Sequence, residues 1–284
     1  MILRLLLLSL TLLVALPGPI PAAEKPAGVT CTELHARNGG RIWVYLPPHP
    51  APGVKLPCVL VPPAGSRLFH GMTLTEGDRQ EHVPYAAAGF MVVSCDLSGP
   101  WPEGEKAAAQ RQAIDTFLKA KGGVTDVLEA LQVAADAYPQ MDPKRIYIAG
   151  HSSAGTLALQ VAASSDRIKA CVAYAPVIDV EKKLGEKVMG VLETMSPGIS
   201  RALHEASPAQ RAEAIHCPVL LFHALDDRAT PPASIENFKN ALTAHQTPAE
   251  RISVETGGHF DSMIQQGIPK GIAWLKAIDE KQSK

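Results

Sequence analysis

The sequence has almost no charge of one sign to spare: 27 Lys and Arg stand against 28 Asp and Glu, a formal net charge of −1. Without a basic excess to neutralise phosphates, nucleic acid is not an expected partner. Aromatic residues are only 5% of the 284, too few for a platform that stacks single-stranded bases. No CxxC, no HExxH and no clustered His or acidic spacing occurs, so no metal site is expected. No GxGxxG follows a strand-like run, so neither a nicotinamide nor a flavin is implied, and no cofactor is expected at all. Repeats, linkers and long charge runs are also missing. What remains, 46% hydrophobic and 19% charged, is ordinary globular composition and excludes disorder and collagen-like structure.

Cysteines are few and scattered: Cys31, Cys58, Cys95, Cys171 and Cys217. Four lie in or beside apolar runs and read as small buried core residues. Disulfides could form in an exported chain, but an odd number leaves at least one thiol over.

The longest apolar run is short. Leu5 to Leu16 follow a single Arg4, and Pro17, Gly18 and Pro19 end the run. Twelve helical residues rise about 18 Å, too little for a hydrocarbon core of roughly 30 Å. A basic start, an apolar stretch and a small-residue exit predict a secretory signal peptide over 1–23, cleaved after Ala23, with the product exported to the periplasm or medium. An uncleaved anchor that tethers the protein to a surface is the alternative. About 260 residues then remain, enough to bury one sizeable core and better suited to one α/β domain than to two small ones. Nothing in the sequence fixes the oligomeric state.

Beyond Ala23, strand-like and helix-like segments alternate. Residues 29–36 and 41–46 read as a strand pair around the turn signal Asn38-Gly39-Gly40. The runs 58–61, 90–96, 145–149, 170–175, 219–223 and 251–255 are rich in Val, Ile, Leu and Cys, as suits strands buried on both faces of a parallel sheet. Residues 106–121, 124–138, 153–164, 233–245 and 268–281 carry helical spacing. The pattern predicts an α/β fold: a mostly parallel sheet of about eight strands with helices on both faces. The less regular stretch 181–214, with Pro197, Gly198 and Pro208, is either a small cap over the active-site edge or an ordinary helical connection.

One segment carries chemistry. A strand ends at Gly150, then come His151, Ser152, Ser153, Ala154 and Gly155, and a helix begins. Strand, sharp turn and helix with serine at the tip is the nucleophile elbow of the α/β-hydrolase fold. Small residues two before and two after the serine let the turn form. Gly150 meets the first need, and Ala154 replaces the usual second glycine. Ser153 is the alternative nucleophile, but His151 two residues before it fits poorly.

That fold orders its triad as serine, acid, histidine. The run 218–223 leads into Ala224-Leu225-Asp226-Asp227, and 251–255 leads into Thr256-Gly257-Gly258-His259. Each group follows a different strand end, on one edge of the sheet, where α/β proteins bind ligands. From position alone the acid is Asp226 or Asp227.

From about residue 56 to 281 the chain resembles the catalytic domain of the prolyl-oligopeptidase family, with dienelactone-hydrolase-like and acetyl-esterase-like hydrolases as cousins. The motifs are Met141-Asp142-Pro143-Lys144-Arg145-Ile146 before the elbow, Pro218-Val219-Leu220-Leu221-Phe222-His223 before the acid, Ser207-Pro208, and Gly257-Gly258-His259. In that family the acid lies four residues past the strand-end histidine and four before a proline, which implies Asp227. Two features depart from it. Pro62-Pro63-Ala64-Gly65 stands where the family has His-Gly, and His223-Ala224 replaces another His-Gly. About 30 residues separate Ala23 from Leu56, with no large N-terminal propeller among them.

These readings imply a serine hydrolase. Ser152 attacks an acyl carbon, His259 moves the proton, and Asp227 fixes the imidazole. The Ser153 N–H is the first oxyanion donor, at a helix N-terminus. Pro62 and Pro63 have no N–H, so the second donor is Ala64 or Gly65. His70 and Trp101 lie on loops at the same edge and are weaker candidates for substrate contact; a solvated His70 and a packed Trp101 are the plainer readings. His223 reads as a core histidine with a satisfied hydrogen bond, Asp226 as a solvated neighbour and Asp261 as a helix-start residue. The expected substrate is a small ester or a short peptide. Ester is favoured, because a poor amine leaving group demands more positioning and the propeller is missing. A propeller-less peptidase is the second reading, and an inactive hydrolase-fold binding protein is the third, although such a protein would usually have lost one triad position.

Overall fold

The computed structural model describes residues 28–104 and 106–282; the expected signal segment 1–23 lies outside them. Eight strands form one sheet: β1 (Thr30–His35), β2 (Arg41–Leu46), β3 (Leu56–Leu60), β4 (Met91–Cys95), β5 (Met141–His151), β6 (Ile168–Tyr174), β7 (Val219–Ala224) and β8 (Ala249–Val254). Their order is β1-β2-β4-β3-β5-β6-β7-β8. β1 pairs with β2 and β2 with β4 in antiparallel fashion, and every pairing from β4 to β8 is parallel. The α/β architecture is the one the alternating pattern predicts.

The helices are α1 (Arg79–Ala87), α2 (Ala107–Lys119), α3 (Val124–Ala137), α4 (Ser153–Ala162), α5 (Val180–Met195), α6 (Ile199–Ala206), α7 (Pro232–Ala244) and α8 (Ile268–Gln282). Successive strand residues face opposite sides, so each central strand feeds two core layers. Cys171 and Ala173 of β6 pack with Leu131 of α3, Leu157 of α4 and Phe238 of α7. Val172 and Tyr174, one residue along, pack with Tyr85 of α1 and Leu275 of α8. All six residues of β7 are buried, which is why these strands read as continuous apolar runs. All five cysteines are free thiols; four are buried within these layers, and Cys31 is half-buried.

Helix α1 is absent from the sequence reading because Pro84 sits inside it. Proline removes a backbone donor and interrupts the pattern that marks a helix. The irregular stretch 181–214 is helical. α5 breaks at Gly185, which adopts φ 76°, and α5 and α6 set Leu184, Leu192, Ile199 and Leu203 around Phe69 and Ile114 in a third apolar cluster.

The topology brings several loops to one edge. Ser152 follows β5, Asp227 follows β7 and His259 follows β8, while the loops after β3 and β4 carry residues 61–72 and 96–101. All lie past the carboxyl ends of parallel strands.

Candidate active site

Close backbone approach builds the elbow. A Cβ on Gly150 would lie 2.3 Å from the Ala154 carbonyl oxygen, and one on Gly155 would lie 2.9 Å from the Gly150 oxygen. Glycine is therefore needed at both positions, while the methyl of Ala154 is accommodated in the core. Ser152 adopts φ 55°, ψ −119°, a backbone state costing on the order of 1–3 kcal/mol that persists only where its surroundings enforce it. They do so here: the Ser152 N–H donates to the Tyr174 carbonyl at 2.9 Å, and its carbonyl accepts from the Thr156 N–H at 3.0 Å.

Two expected partners meet. His259 Nδ1 and Asp227 Oδ2 are 2.7 Å apart. Asp227 is buried at 5% exposure and accepts further bonds from the Thr230 hydroxyl at 2.7 Å and the Ala229 N–H at 2.6 Å. Burial alone would raise its pKa, but these donors, His259 foremost, outweigh it and hold the carboxyl at about 2. A carboxylate on Nδ1 places the imidazole proton there and leaves the Nε2 lone pair free. No hydrogen bond joins the Ser152 hydroxyl to His259 among the described residues, a looseness common before substrate arrives.

The His259 loop has supports that the sequence reading missed. Gly257 and Gly258 adopt φ 115° and 58°, and their N–H groups donate to Asp226 at 3.2 and 2.8 Å. Asp226 is exposed as expected, but it also holds the loop that carries His259. His151 Nε2 lies 2.8 Å from the His259 carbonyl oxygen, and the two rings lie 4.6 Å apart. Acid-acid and glycine pairs flag such a loop in sequence, but not which carboxylate grips which amide.

On the other side of the elbow, the loop after β3 runs past α4. Gly65 and Ser66 donate their N–H groups to Ser153 Oγ at 3.0 and 3.1 Å. Of the two expected second donors, the Gly65 amide is thus engaged, whereas the Ala64 amide has no acceptor among the described residues. The Ser153 amide opens α4, in the first turn, where N–H groups have no helical partner.

A cavity of about 250 Å³ opens beside Ser153. Its walls set apolar Phe117, Leu157, Val180 and Leu203 beside polar Lys121, Gln160, Glu205 and Arg211; Ser153 lines it, whereas Ser152, Asp227 and His259 do not. His70 and Trp101 do not line it. Their rings lie 5.2 Å apart, tilted by 42°, with Phe69 5.7 Å from Trp101. His70 is buried, not solvated, with Nδ1 2.7 Å from the Gly71 carbonyl oxygen; burial lowers its pKa. Its ring neighbours Phe69 and Trp101 belong to or pack on the third apolar cluster.

His223 also differs from expectation. It is fully buried on β7, yet neither ring nitrogen has a hydrogen-bond partner among the described residues. Burial, helped by Arg251, lowers its pKa, so it sits neutral in the layer. Asp261 opens a helical segment, as expected. No group of three or more His, Cys, Asp or Glu residues that could hold a metal is found among the described residues, and no helix there is long and apolar enough to cross a membrane.

Comparison with known proteins identifies the family. The model of the prolyl oligopeptidase family matches residues 78–278. A search of curated proteins finds no match. Among solved structures, an acylaminoacyl peptidase from Pyrococcus horikoshii superposes with TM-score 0.69 at 17% identity, covering 91% of this chain and 42% of that one. A puromycin-hydrolyzing peptidase from Mycobacterium tuberculosis gives 0.69 at 22%, covering 92% and 41%. Dipeptidyl peptidase 4 from Porphyromonas gingivalis gives 0.65 at 17%, covering 88% and 35%. The chain thus spans about two fifths of the length of these structures, which share its fold. With the family model matched over most of its length, the chain belongs to the prolyl oligopeptidase family.

Proposed function

We propose that this chain is a serine hydrolase that cleaves small acyl esters through an acyl-enzyme formed on Ser152. The observation that carries the reading is the 2.7 Å contact between buried Asp227 and His259, on the loop that packs against the elbow. In the first half-reaction Ser152 Oγ attacks the acyl carbon, and His259 Nε2 takes its proton. The negative charge that forms on the carbonyl oxygen faces the Ser153 and Ala64 N–H groups, and Asp227 stabilises the imidazolium. Collapse expels the leaving group, which takes the proton from His259. In the second half a water gives its proton to His259 and its oxygen to the acyl carbon, releasing the acid and restoring Ser152. The cavity beside Ser153 receives the acyl part.

The family membership favours a second reading, cleavage of short peptides. The related structures named above are peptidases, and amide cleavage uses the same residues. Export rests on the apolar 1–23 segment alone, and N-terminal sequencing of protein recovered outside the cytoplasm tests it.

The function is tested by fluorophosphonate labelling of the purified chain beside Ser152→Ala and Ser153→Ala, followed by p-nitrophenyl esters and aminoacyl anilides. Labelling abolished in Ser152→Ala but only slowed in Ser153→Ala, with ester turnover exceeding anilide turnover, supports the proposal. A folded chain that does not label overturns it in favour of a binding protein. Faster anilide turnover selects the peptidase.

A further inference from the structure

The Ser153 side chain has no role in the triad, yet it joins two segments 88 residues apart. Its Oγ accepts from the Gly65 N–H at 3.0 Å and from the Ser66 N–H at 3.1 Å. Two successive amides converging on one oxygen form the kind of concavity that binds anions. Here a hydroxyl oxygen fills it. The turn depends on Gly65, whose φ of 106° is in the left-handed region and is strained for any other residue. Ser153 itself is 8% exposed and fixed at the start of α4, so its oxygen is a rigid anchor. Beyond the anchor the loop is braced by itself: the Ser66 hydroxyl donates to the His70 carbonyl and accepts from the Leu68 N–H.

We propose that the Ser153 hydroxyl is a positioning residue that clamps the 64–66 loop to the elbow and so aims the Ala64 N–H at the oxyanion. The inference rests on the proposed acyl transfer. Pro62 and Pro63 have no amide hydrogen, and the clamp occupies the amides of Gly65 and Ser66, which leaves Ala64 as the loop's donor nearest the strand end. An oxyanion donor works only if its position is set before the charge forms. The same residue therefore supplies one donor through its main chain and sets the second through its side chain. The expected loss on cutting the clamp is smaller than that of deleting a donor, because the Ala64 amide stays present but is no longer held. A donor misplaced by about 1 Å costs up to about 100-fold in rate.

The test compares wild type with Ser153→Ala, Ser153→Val and Ser153→Thr. Threonine and valine have the same shape and differ by the hydroxyl. Rates of fluorophosphonate labelling, kcat and KM for p-nitrophenyl butyrate, and hydrogen exchange at the Gly65 and Ser66 amides are read on each. The expected result is labelling and kcat about 10- to 100-fold lower in the alanine and valine variants, KM within about twofold, faster exchange at both amides, and recovery to within about threefold in Ser153→Thr. A threonine variant as slow as the valine variant overturns the clamp, since shape would then account for the loss. An alanine variant that labels as fast as wild type overturns it too, and one that labels faster shows that the hydroxyl blocks the Gly65 and Ser66 amides. A wild-type chain that does not label overturns the acyl-transfer reading and the clamp with it, so the wild-type arm separates the two failures.

Discussion

His151 and His259 are joined through ring and main chain: His151 Nε2 lies 2.8 Å from the His259 carbonyl oxygen, with ring centroids 4.6 Å apart. Burial first, and then the neighbouring His259, push the His151 pKa down to about 3. It is therefore neutral at working pH, with its proton on Nε2 as donor. The residue before the nucleophile thus fixes the height of the loop that carries the base. His151→Phe keeps a ring but loses the bond. The expected result is kcat for ester hydrolysis about tenfold lower with KM little changed, because a small displacement of a catalytic group costs rate more than affinity. Steady-state kinetics check this, and an unchanged kcat would show that ring packing alone holds the loop.

Against the effect of burial, His259, Thr230 and Ala229 hold the pKa of Asp227 down to about 2. Asparagine at this position can turn an N–H toward His259 Nδ1 and impose the wrong tautomer. Asp227→Asn is expected to lower kcat by about 10⁴ at pH 7, the scale known for triads of this design. The lowered pKa also fixes the sign of a stability effect. The stabilising contribution is complete above the ordinary value of 3.8 and is lost as pH falls through about 2. The asparagine variant should lack that part of the acid transition in urea unfolding followed between pH 2 and 4.

Sequence carried the sheet and the elbow because both are written in adjacent residues. β7 is six consecutive buried positions, and the elbow needs glycine two before Ser152 whatever the rest of the chain does. The details around the elbow join distant segments. Ser153 meets Gly65 across 88 positions, and His151 meets His259 across 108; no local pattern encodes either distance. In sequence His70 reads as solvated because it lies in a loop; it is buried against Phe69 and Trp101, which pack in the cluster shared with α5 and α6. The nitrogens of His223, unpaired among the described residues, depart from the usual rule that buried polar groups find partners, so sequence could not have announced them.

The Gly150 position makes the elbow's steric demand testable. A methyl there meets the Ala154 carbonyl at 2.3 Å, backbone against backbone, and neither strand nor helix can yield easily. Gly150→Ala is expected to destabilise the fold by about 1–3 kcal/mol or more, as overpacking does, and to lower kcat by shifting Ser152. Ala154→Gly should cost only about 0.5–1 kcal/mol through added chain entropy. Chemical denaturation of both variants compares them directly, and equal losses would mean that the turn tolerates side chains alike at its two ends.

Glu81 predicts a pH dependence of the opposite sign to Asp227. It lies on the buried side of α1 near Tyr85 and Tyr174, whose hydroxyls are 2.5 Å apart. Burial, with a smaller push from Asp78, raises its pKa to about 8. Between the ordinary 4.5 and about 8 the folded state holds a proton that the unfolded state has released. Stability is therefore fullest below 4.5 and falls as pH rises toward 8. Glu81→Gln cannot ionise. It should match wild type at pH 4 and exceed it at pH 8.5 in urea midpoint. Parallel curves for the two proteins would mean that the carboxyl ionises freely in the fold.

The cavity beside Ser153 predicts how acyl length is read. Ala202 lies on its wall and is only partly buried, so a larger side chain there can fill the space without disturbing the core. Each methylene kept out of an apolar wall forfeits about 0.8 kcal/mol. Excluding two raises KM about tenfold. Ala202→Phe should therefore raise KM for p-nitrophenyl octanoate by about tenfold or more while leaving the acetate ester within about twofold. The contrast between the two esters separates loss of acyl space from damage to the site, because a displaced Ser152 or His259 would slow both. If acetate and octanoate suffer alike, the cavity does not hold the acyl chain, and the leaving group must enter it instead. Varying the alcohol part at constant acyl length then shows the tenfold dependence that the acyl series lacks.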